Sequence, residues 1–206
     1  NGINTNYSTN NLNQYISISG TSNVSLTYDS NGNLTNDGTY NFSYDNENRL
    51  SNINNGSIAT YKYDALGRRI QKVLPGETIK YFYSGQNLIE ERDITDALQA
   101  TYVYGTGIDN ILTMQRNNNN YFYHKNAIGS VTNITDSLGL VVERYEYDAY
   151  GKPFIYDESS NLLSLSLINN SMMFTGKEFN SEAENYYYRA RTQNFHLGRF
   201  LQRDSL

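Results

Sequence analysis

The chain contains no cysteine and no tryptophan, and only 2 of its 206 residues are proline. The absence of cysteine excludes disulfide bonds and thiolate metal sites, but it is compatible with both secreted bacterial proteins and cytosolic ones. No apolar run approaches the length of about 18 residues that a transmembrane helix needs. The start of the chain, residues 1–4, resembles neither a signal peptide nor an initiator methionine, so we expect an excised piece without a membrane span.

Positive charge is also scarce, because 16 Lys and Arg residues stand against 21 Asp and Glu residues, for a net charge of −5. This balance argues against nucleic acid as a partner. The only two histidines, His124 and His196, are distant in sequence. A metal site needs several convergent ligands, so solvated or hydrogen-bonded histidines are favoured, and no metal or cofactor is expected.

Tyrosine and asparagine are abundant instead, at 20 and 30 residues. They build a unit that is clearest at residues 60–70, where Tyr61 and Tyr63 alternate with polar residues and therefore share one face of a strand. Asp64 stands three residues before Gly67, as in a type I turn with Asp first and Gly last. The unit predicts a β-hairpin.

The unit recurs along the chain. Successive leading tyrosines are separated by 16, 19, 20, 21 and 19 positions: Tyr28, Tyr44, Tyr63, Tyr83, Tyr104 and Tyr123. One hairpin per period of about twenty residues predicts an array of antiparallel strands rather than a mixed α/β domain. The turn aspartates are Asp29, Asp45, Asp64, Asp136 and Asp148. Turn capping is favoured over calcium binding for them, because no loop has an Asp-x-Asp-x-Asp series.

Pairs of tyrosines at positions i and i+2 lead to a prediction about packing. Because strands lie about 4.8 Å apart, these pairs are predicted to stack into aromatic ladders across the sheet. The same rings are suited to stacking on sugars, but packing between strands is favoured.

The pattern divides the chain into three parts. Residues 1–156 carry the hairpin repeats, and residues 157–173 interrupt the period with a leucine-rich stretch that fits either a short helix or an irregular loop. Residues 174–206 have a different pattern with a local run of arginines.

The order of these units, together with the final segment, resembles a known family. The final segment contains three motifs: Phe174-Thr175-Gly176-Lys177-Glu178, Tyr186-Tyr187-Tyr188-Arg189-Ala190-Arg191 and Gly198-Arg199-Phe200-Leu201. The chain is similar to the YD-repeat (RHS) family, and residues 174–206 are similar to the end of its RHS-associated core. The resemblance implies an all-β fold, a spiralling antiparallel ribbon of hairpins that forms part of a hollow shell closed by the core.

In the toxin branch of that family, the resemblance implies an aspartyl-type autoprotease in the core, which frees a C-terminal toxin. Asp204 and Arg199 match the family's Asp and Arg near the cut and are the candidate catalytic residues. Aspartyl hydrolysis needs two carboxylates close enough to share a proton.

Several positions depart from the family's pattern. The second acidic position aligns near Asn180, and Asn194 stands where the family has an Asp before Pro. Ser205 replaces the proline after Asp204. Glu178 and Glu182 are alternative second carboxylates, so the sequence leaves peptidase activity open.

The resemblance implies a structural segment of a secreted or cell-surface bacterial shell that encapsulates or presents a toxin for interbacterial competition. Its partners would be the remainder of its own shell and the toxin segment, with secretion machinery, toxin-complex subunits or glycans as further candidates. The alternative is a cell-surface module that binds carbohydrate or a partner and lacks peptidase activity.

Overall fold

The computed structural model describes residues 4–20 and 23–204, and the regular structure within them is almost entirely strand. Two small antiparallel sheets open the chain. The first consists of β1 (Asn6–Thr9), β2 (Tyr15–Ser19) and β3 (Val24–Ser25). The second consists of β4 (Thr27–Tyr28) and β5 (Leu34–Asn36).

A 13-stranded antiparallel sheet follows, in which neighbours in sequence are neighbours in the sheet. Its strands are β6 (Phe42–Tyr44), β7 (Leu50–Ile53), β8 (Ala59–Tyr63), β9 (Arg69–Leu74), β10 (Glu77–Ser84), β11 (Asn87–Arg92), β12 (Leu98–Tyr104), β13 (Ile111–Arg116), β14 (Asn119–Lys125), β15 (Val131–Thr135), β16 (Val141–Tyr147), β17 (Pro153–Asp157) and β18 (Leu162–Leu163). The predicted all-β ribbon of antiparallel hairpins is confirmed.

A four-stranded antiparallel sheet ends the described chain, and we call it the C-terminal core. Its strands are β19 (Glu178–Asn180), β20 (Asn185–Tyr188), β21 (Arg191–Asn194) and β22 (Arg199–Phe200), and short 3-10 turns occur at Asn54–Gly56 and Phe174–Gly176. Tyr186 and Phe195 of the core are buried in the apolar cluster of strands β10 to β17. Leu201 is buried in the cluster of the first repeats. The core therefore folds back on both parts of the repeat array.

Turn chemistry explains why each hairpin forms. The Asp64 carboxylate accepts hydrogen bonds from the backbone N–H groups of Leu66 and Arg68, both at 2.9 Å, and the N–H of Gly67 donates to the Asp64 carbonyl at 3.0 Å. Gly67 has a φ of +76°, which glycine adopts without a steric penalty. The same side-chain pattern recurs at Asp45, Asp93, Asp136, Asp148 and Asp157. Asp45, Asp64, Asp136 and Asp148 cap turns, as their spacing predicts, and Asp93 and Asp157 are two further caps. The predicted Asp29 caps its turn through the N–H of Asn33, at 2.8 Å.

Five tyrosines that stand directly before a turn link one repeat to the preceding one. The Tyr63 hydroxyl donates to the backbone carbonyl of Leu50 at 2.7 Å, and the Tyr147 hydroxyl donates to that of Val131 at 2.8 Å. Equivalent bonds are made by Tyr28, Tyr44 and Tyr83. The Tyr-Asp pair thus combines a bond between repeats with a bond within the turn.

The predicted aromatic ladders are wrong. The tyrosine pairs lie on alternate strands, about 9.6 Å apart by strand spacing. The intervening strand places another residue opposite each ring, such as Lys72 opposite Tyr61 and Met114 opposite Tyr102. We call the face that carries these tyrosines the inner face, and it is the buried face of the sheet: Tyr61, Tyr81, Tyr102, Tyr123 and Tyr145.

Residues 157–173 contain no helix. Asp157 caps one more turn, β18 pairs with β17, and the segment beyond β18 is irregular. Of the two alternatives for this stretch, the structure therefore contains the irregular one. The division into parts 1–156, 157–173 and 174–206 stays a prediction. Among the described residues, no helix is long and apolar enough to cross a membrane.

Candidate functional site

The C-terminal core meets the inner face of the sheet over a cluster of buried charges. Arg69 and Lys72 lie on β9, and Glu178 lies at the start of β19 with Glu182 in the turn that follows. Their side chains expose 1 %, 7 %, 6 % and 11 % of their surface, respectively. We call these four residues the charge seam.

Ion pairs and hydrogen bonds connect the two sides of the seam. Arg69 is ion paired with Glu178, and the Lys72 ammonium lies 3.7 Å from Glu178 and 3.6 Å from Glu182. The Tyr81 hydroxyl donates to Glu178 at 2.8 Å, and the Tyr61 hydroxyl donates to Glu182 at 2.9 Å. The inner-face tyrosines therefore bind core carboxylates through their polar tips.

Aromatic rings enclose the Arg69 guanidinium. Its central carbon lies 4.3 Å from the ring centroid of Tyr187, 5.1 Å from that of Tyr61 and 5.3 Å from that of Tyr81. Cation–π attraction strengthens when the cation is shielded from water. One guanidinium nitrogen also donates to the Asn180 side-chain oxygen at 3.0 Å. Arg69 is thus fixed by both halves of the molecule.

The electrostatics keep Glu178 ionised. Burial by itself raises the pKa of Glu178, but the positive charges of Arg69 and Lys72 and the bond from Tyr81 outweigh it, and the pKa lies below its usual value. Burial raises the pKa of Tyr81 well above its usual value. Glu178 is therefore a hydrogen-bond acceptor here and does not supply the proton that one member of an aspartyl pair carries.

A row of buried asparagines crosses the core next to the seam. Asn180 lies opposite Asn185, which lies opposite Asn194 on the next strand. The Asn180 side-chain nitrogen donates to the Asn185 side-chain oxygen at 2.8 Å. All three are buried. Asn180 on β19 and Asn194 on β21, where the resemblance implies acidic residues, therefore lie in one row across the sheet, on either side of Asn185, as neutral amides.

Asp204 and Arg199 have separate surroundings in the structure. The Asp204 carboxylate, 69 % exposed, lies 3.2 Å from an Arg191 guanidinium nitrogen. Arg199 donates to the backbone carbonyl of Asn13 at 2.7 Å, and its guanidinium lies 3.8 Å from the ring centroid of Tyr15. No bond between them occurs in the described part of the chain, and their catalytic role stays a prediction.

Asp204 lines an open polar groove of about 580 Å³ between the hairpin turns and the core. Glu47 supplies a second carboxylate to this groove, and it is paired with Arg49 at 2.8 Å. Glu178 and Glu182 line a different cavity, of about 180 Å³, which Asp204 does not reach. Within residues 4–20 and 23–204, the proposed alternative acids are therefore separated from Asp204.

Sequence reasoning missed Arg69 and Lys72. The available signal was strand alternation, because Lys72 stands directly opposite the inward-facing Tyr61 and Arg69 directly opposite Tyr63. It also missed Asp109, which forms ion pairs with Lys177 and Arg189 of the C-terminal part. The two histidines have unrelated partners, since His124 bonds to Thr135 and His196 to Glu184.

The chain has relatives among characterised proteins. It is 36 % identical over 148 residues to the tRNA3(Ser)-specific nuclease WapA of Bacillus spizizenii, and 35 % identical over 148 residues to the tRNA nuclease WapA of Bacillus subtilis strain 168. Each match covers 71 % of this chain but only 6 % of the relative. The chain therefore spans a small part of these proteins.

Solved structures share the fold. The Photorhabdus luminescens Tc holotoxin pore matches 98 % of this chain with a TM-score of 0.68 and 17 % identity, and the TcdB2–TccC3 complex matches 96 % with a TM-score of 0.62 and 17 % identity. This chain covers 12 % of each of those chains. At this identity, the likeness concerns the fold.

The family assignment rests on the repeat region. The family model described as the teneurin YD-shell matches residues 1–168, which include the Tyr-Asp hairpins whose turns and inter-repeat bonds are described above. The resemblance seen in the motifs and the shared fold agree with that match. The chain belongs to the teneurin YD-shell family of YD-repeat proteins.

Proposed function

We propose that the chain is a segment of the wall of a secreted bacterial shell that encloses or presents a C-terminal toxin. The observation that supports it is the 13-stranded sheet in chain order, together with the tyrosine hydroxyl bonds that join several of the Tyr-Asp units to the unit before them. Arrays whose units contact mainly their neighbours extend by adding further units. Such a wall suits a container made by a much longer chain.

The names of the relatives support the toxin context. The WapA proteins are tRNA nucleases by name, and one of the structural relatives is a Tc holotoxin pore by title. Because the match covers 6 % of the WapA chains, the proposal assigns no nuclease activity to these 206 residues. The partners would be the rest of the shell and an enclosed toxin segment.

Electron microscopy of the full-length protein tests the proposal. A hollow particle with the described segment in its wall is the expected result. A solid particle or an extended rod would overturn it. A protease-protection assay then asks whether the toxin segment is enclosed, because an enclosed segment is cleaved only after the shell is opened.

Self-cleavage near Asp204 is a second candidate function. The observation in its favour is that Asp204, at the C-terminal end of the described chain, and Glu47, in the turn between β6 and β7, line the same open groove. The test is to express the chain with its native downstream sequence and compare it with Asp204→Asn, Glu47→Gln and Arg199→Lys. Cleavage that is lost in Asp204→Asn supports the proposal, and an uncleaved parent chain overturns it.

A surface-binding module is the alternative function. Exposed Phe82 and Phe122 on the outer face of the sheet offer apolar contacts to a glycan or a partner protein. The inner-face tyrosines do not, because they are buried. A glycan array probed with the full-length protein distinguishes this role, since a wall segment without binding function gives no hits.

A further inference from the structure

The charge seam joins the sheet to the C-terminal core, and its positive and negative charges lie on opposite sides of that contact. Both cations, Arg69 and Lys72, belong to the sheet, and both carboxylates, Glu178 and Glu182, belong to the core. Within the described residues, neither cation has an ion pair on its own side. Separation of the core from the sheet would therefore leave each body with unpaired like charges.

Other polar groups also face the seam. They do not change the separation of the cations on the sheet from the carboxylates on the core. Besides its cations, Glu178 accepts a bond from the Tyr81 hydroxyl of β10, and Glu182 accepts one from the Tyr61 hydroxyl of β8. The negative charges of Glu178 and Glu182 also add to the burial that raises the pKa of Tyr187 and Tyr40, respectively. Three more charged residues line the adjoining cavity: Glu77, Glu91 and Arg116. Arg116 is already paired with Glu91. None of these groups supplies a second cation for the core carboxylates.

Water has a route to the seam. The cavity of about 180 Å³ is lined by Lys72, Glu178 and Glu182. The Lys72 ammonium has no hydrogen-bond partner within the described residues, so it is suited to solvent in this cavity. Protons can therefore reach the carboxylates while the core remains docked.

We propose that the charge seam is an acid-releasable latch, which holds the core on the inner face at neutral pH and frees it when Glu178 becomes protonated. Release leaves Arg69 and Lys72 free to be hydrated instead of buried without partners. The uncovered surface is the inner face around Tyr61 and Tyr81. The latch does not depend on what the shell encloses.

The direction of the pH dependence follows from linkage. The pKa of Glu178 is lower in the folded protein than its ordinary value, so its stabilisation is complete above the ordinary value. That stabilisation is lost as the pH falls through the folded value. Release is therefore expected as the pH falls through the lowered pKa of Glu178, which lies below the ordinary glutamate value of 4.5.

Hydrogen exchange on the 206-residue chain tests the latch. Protection factors, corrected for the intrinsic pH dependence of exchange, are compared at neutral pH and at about pH 3.5 for β19–β21 and for β13–β15. We expect β19–β21 to lose protection by about tenfold or more at acid pH while β13–β15 retain theirs, because an uncompensated buried charge is strongly destabilising. Retention in β19–β21, or simultaneous loss in both regions, would overturn the proposal.

Variants separate the latch from general acid unfolding. Glu178→Gln mimics the protonated state, so β19–β21 should already be less protected at neutral pH. The pair Arg69→Met and Glu178→Met, made together, removes the main cation with its carboxylate and should reduce the loss at acid pH. Circular dichroism confirms that each variant is folded. If the double variant has the parent's full acid response, the seam is not the latch.

Discussion

Arg69 and Glu178 form an ion pair that joins the repeat sheet to the C-terminal core, with 1 % and 6 % of their side chains exposed. Neither residue lies in a turn or in one of the tyrosine pairs that define the repeats. Desolvation of two charges is costly, and only a paired geometry with further hydrogen bonds offsets it. Tyr81 and Asn180 supply those further bonds.

Removal of one partner of this pair is expected to be more harmful than removal of both. Arg69→Met leaves the Glu178 carboxylate buried without its main cation, and the free energy of unfolding should fall by about 3–5 kcal/mol. Arg69→Met with Glu178→Met leaves no uncompensated charge at this position, so its loss should be smaller than that of either single variant. Urea unfolding at neutral pH measures all three. A double variant less stable than both singles would contradict the argument.

The hydroxyl groups between repeats give a second prediction. Tyr147→Phe removes the bond to the Val131 carbonyl and should lower the free energy of unfolding by about 1–3 kcal/mol, the usual effect of leaving a buried acceptor unsatisfied. Tyr150→Phe is the matched control, because Tyr150 is exposed at the turn two residues beyond Asp148. Equal effects of the two substitutions on urea unfolding would show that the bond between repeats makes no net contribution to the free energy of unfolding.

The repeat array could be predicted from the sequence because its signals are local. Asp64 and Gly67 define a turn within four residues, and Tyr61 and Tyr63 define a strand face within three. Whether tyrosines of successive copies contact each other depends on their spacing across the sheet. The copies lie two strands apart, with Lys72 or Met114 between them. The prediction of ladders failed because the residues between the copies were left out.

The contacts between the core and the sheet could not be predicted in the same way. Arg69 meets Glu178 only after the core folds back across the array, and no local pattern encodes that approach. The family resemblance pointed to Glu178 and Asn180 as positions of interest, but as parts of a hydrolytic site. In the structure both bind Arg69.

Two glycines, Gly67 and Gly151, give a third prediction, because both have a positive φ but differ in their surroundings. Gly67 has a φ of +76° and open space around an added Cβ, so Gly67→Ala should lower the free energy of unfolding by about 1–2 kcal/mol through backbone strain alone. At Gly151, with a φ of +97°, an added Cβ would lie 2.6 Å from Cδ1 of Phe174. That ring packs against Tyr147 and Tyr186, at 5.5 and 6.1 Å between centroids.

Gly151→Ala must therefore displace a packed ring as well as strain the backbone. We expect it to be less stable than Gly67→Ala by about 1–3 kcal/mol, the usual effect of overpacking. Urea unfolding of both variants gives the difference directly. Similar stabilities would mean that Phe174 moves aside freely, and the packing of the core on the last repeat would then be looser than the contacts indicate.

Arg199 gives the last prediction, because its contacts indicate a structural role that does not require catalysis. Its guanidinium stacks on the Tyr15 ring and donates to the Asn13 carbonyl, so it ties the final strand to the first hairpin, β1 and β2. Arg199→Ala should increase hydrogen exchange in β1 and β2 while β13–β15 stay unchanged. Arg199→Lys keeps a charge but loses the planar stack, and should have an intermediate effect. Unchanged exchange in β1 and β2 in both variants would exclude the structural role and leave catalysis as the remaining reason for an arginine at this position.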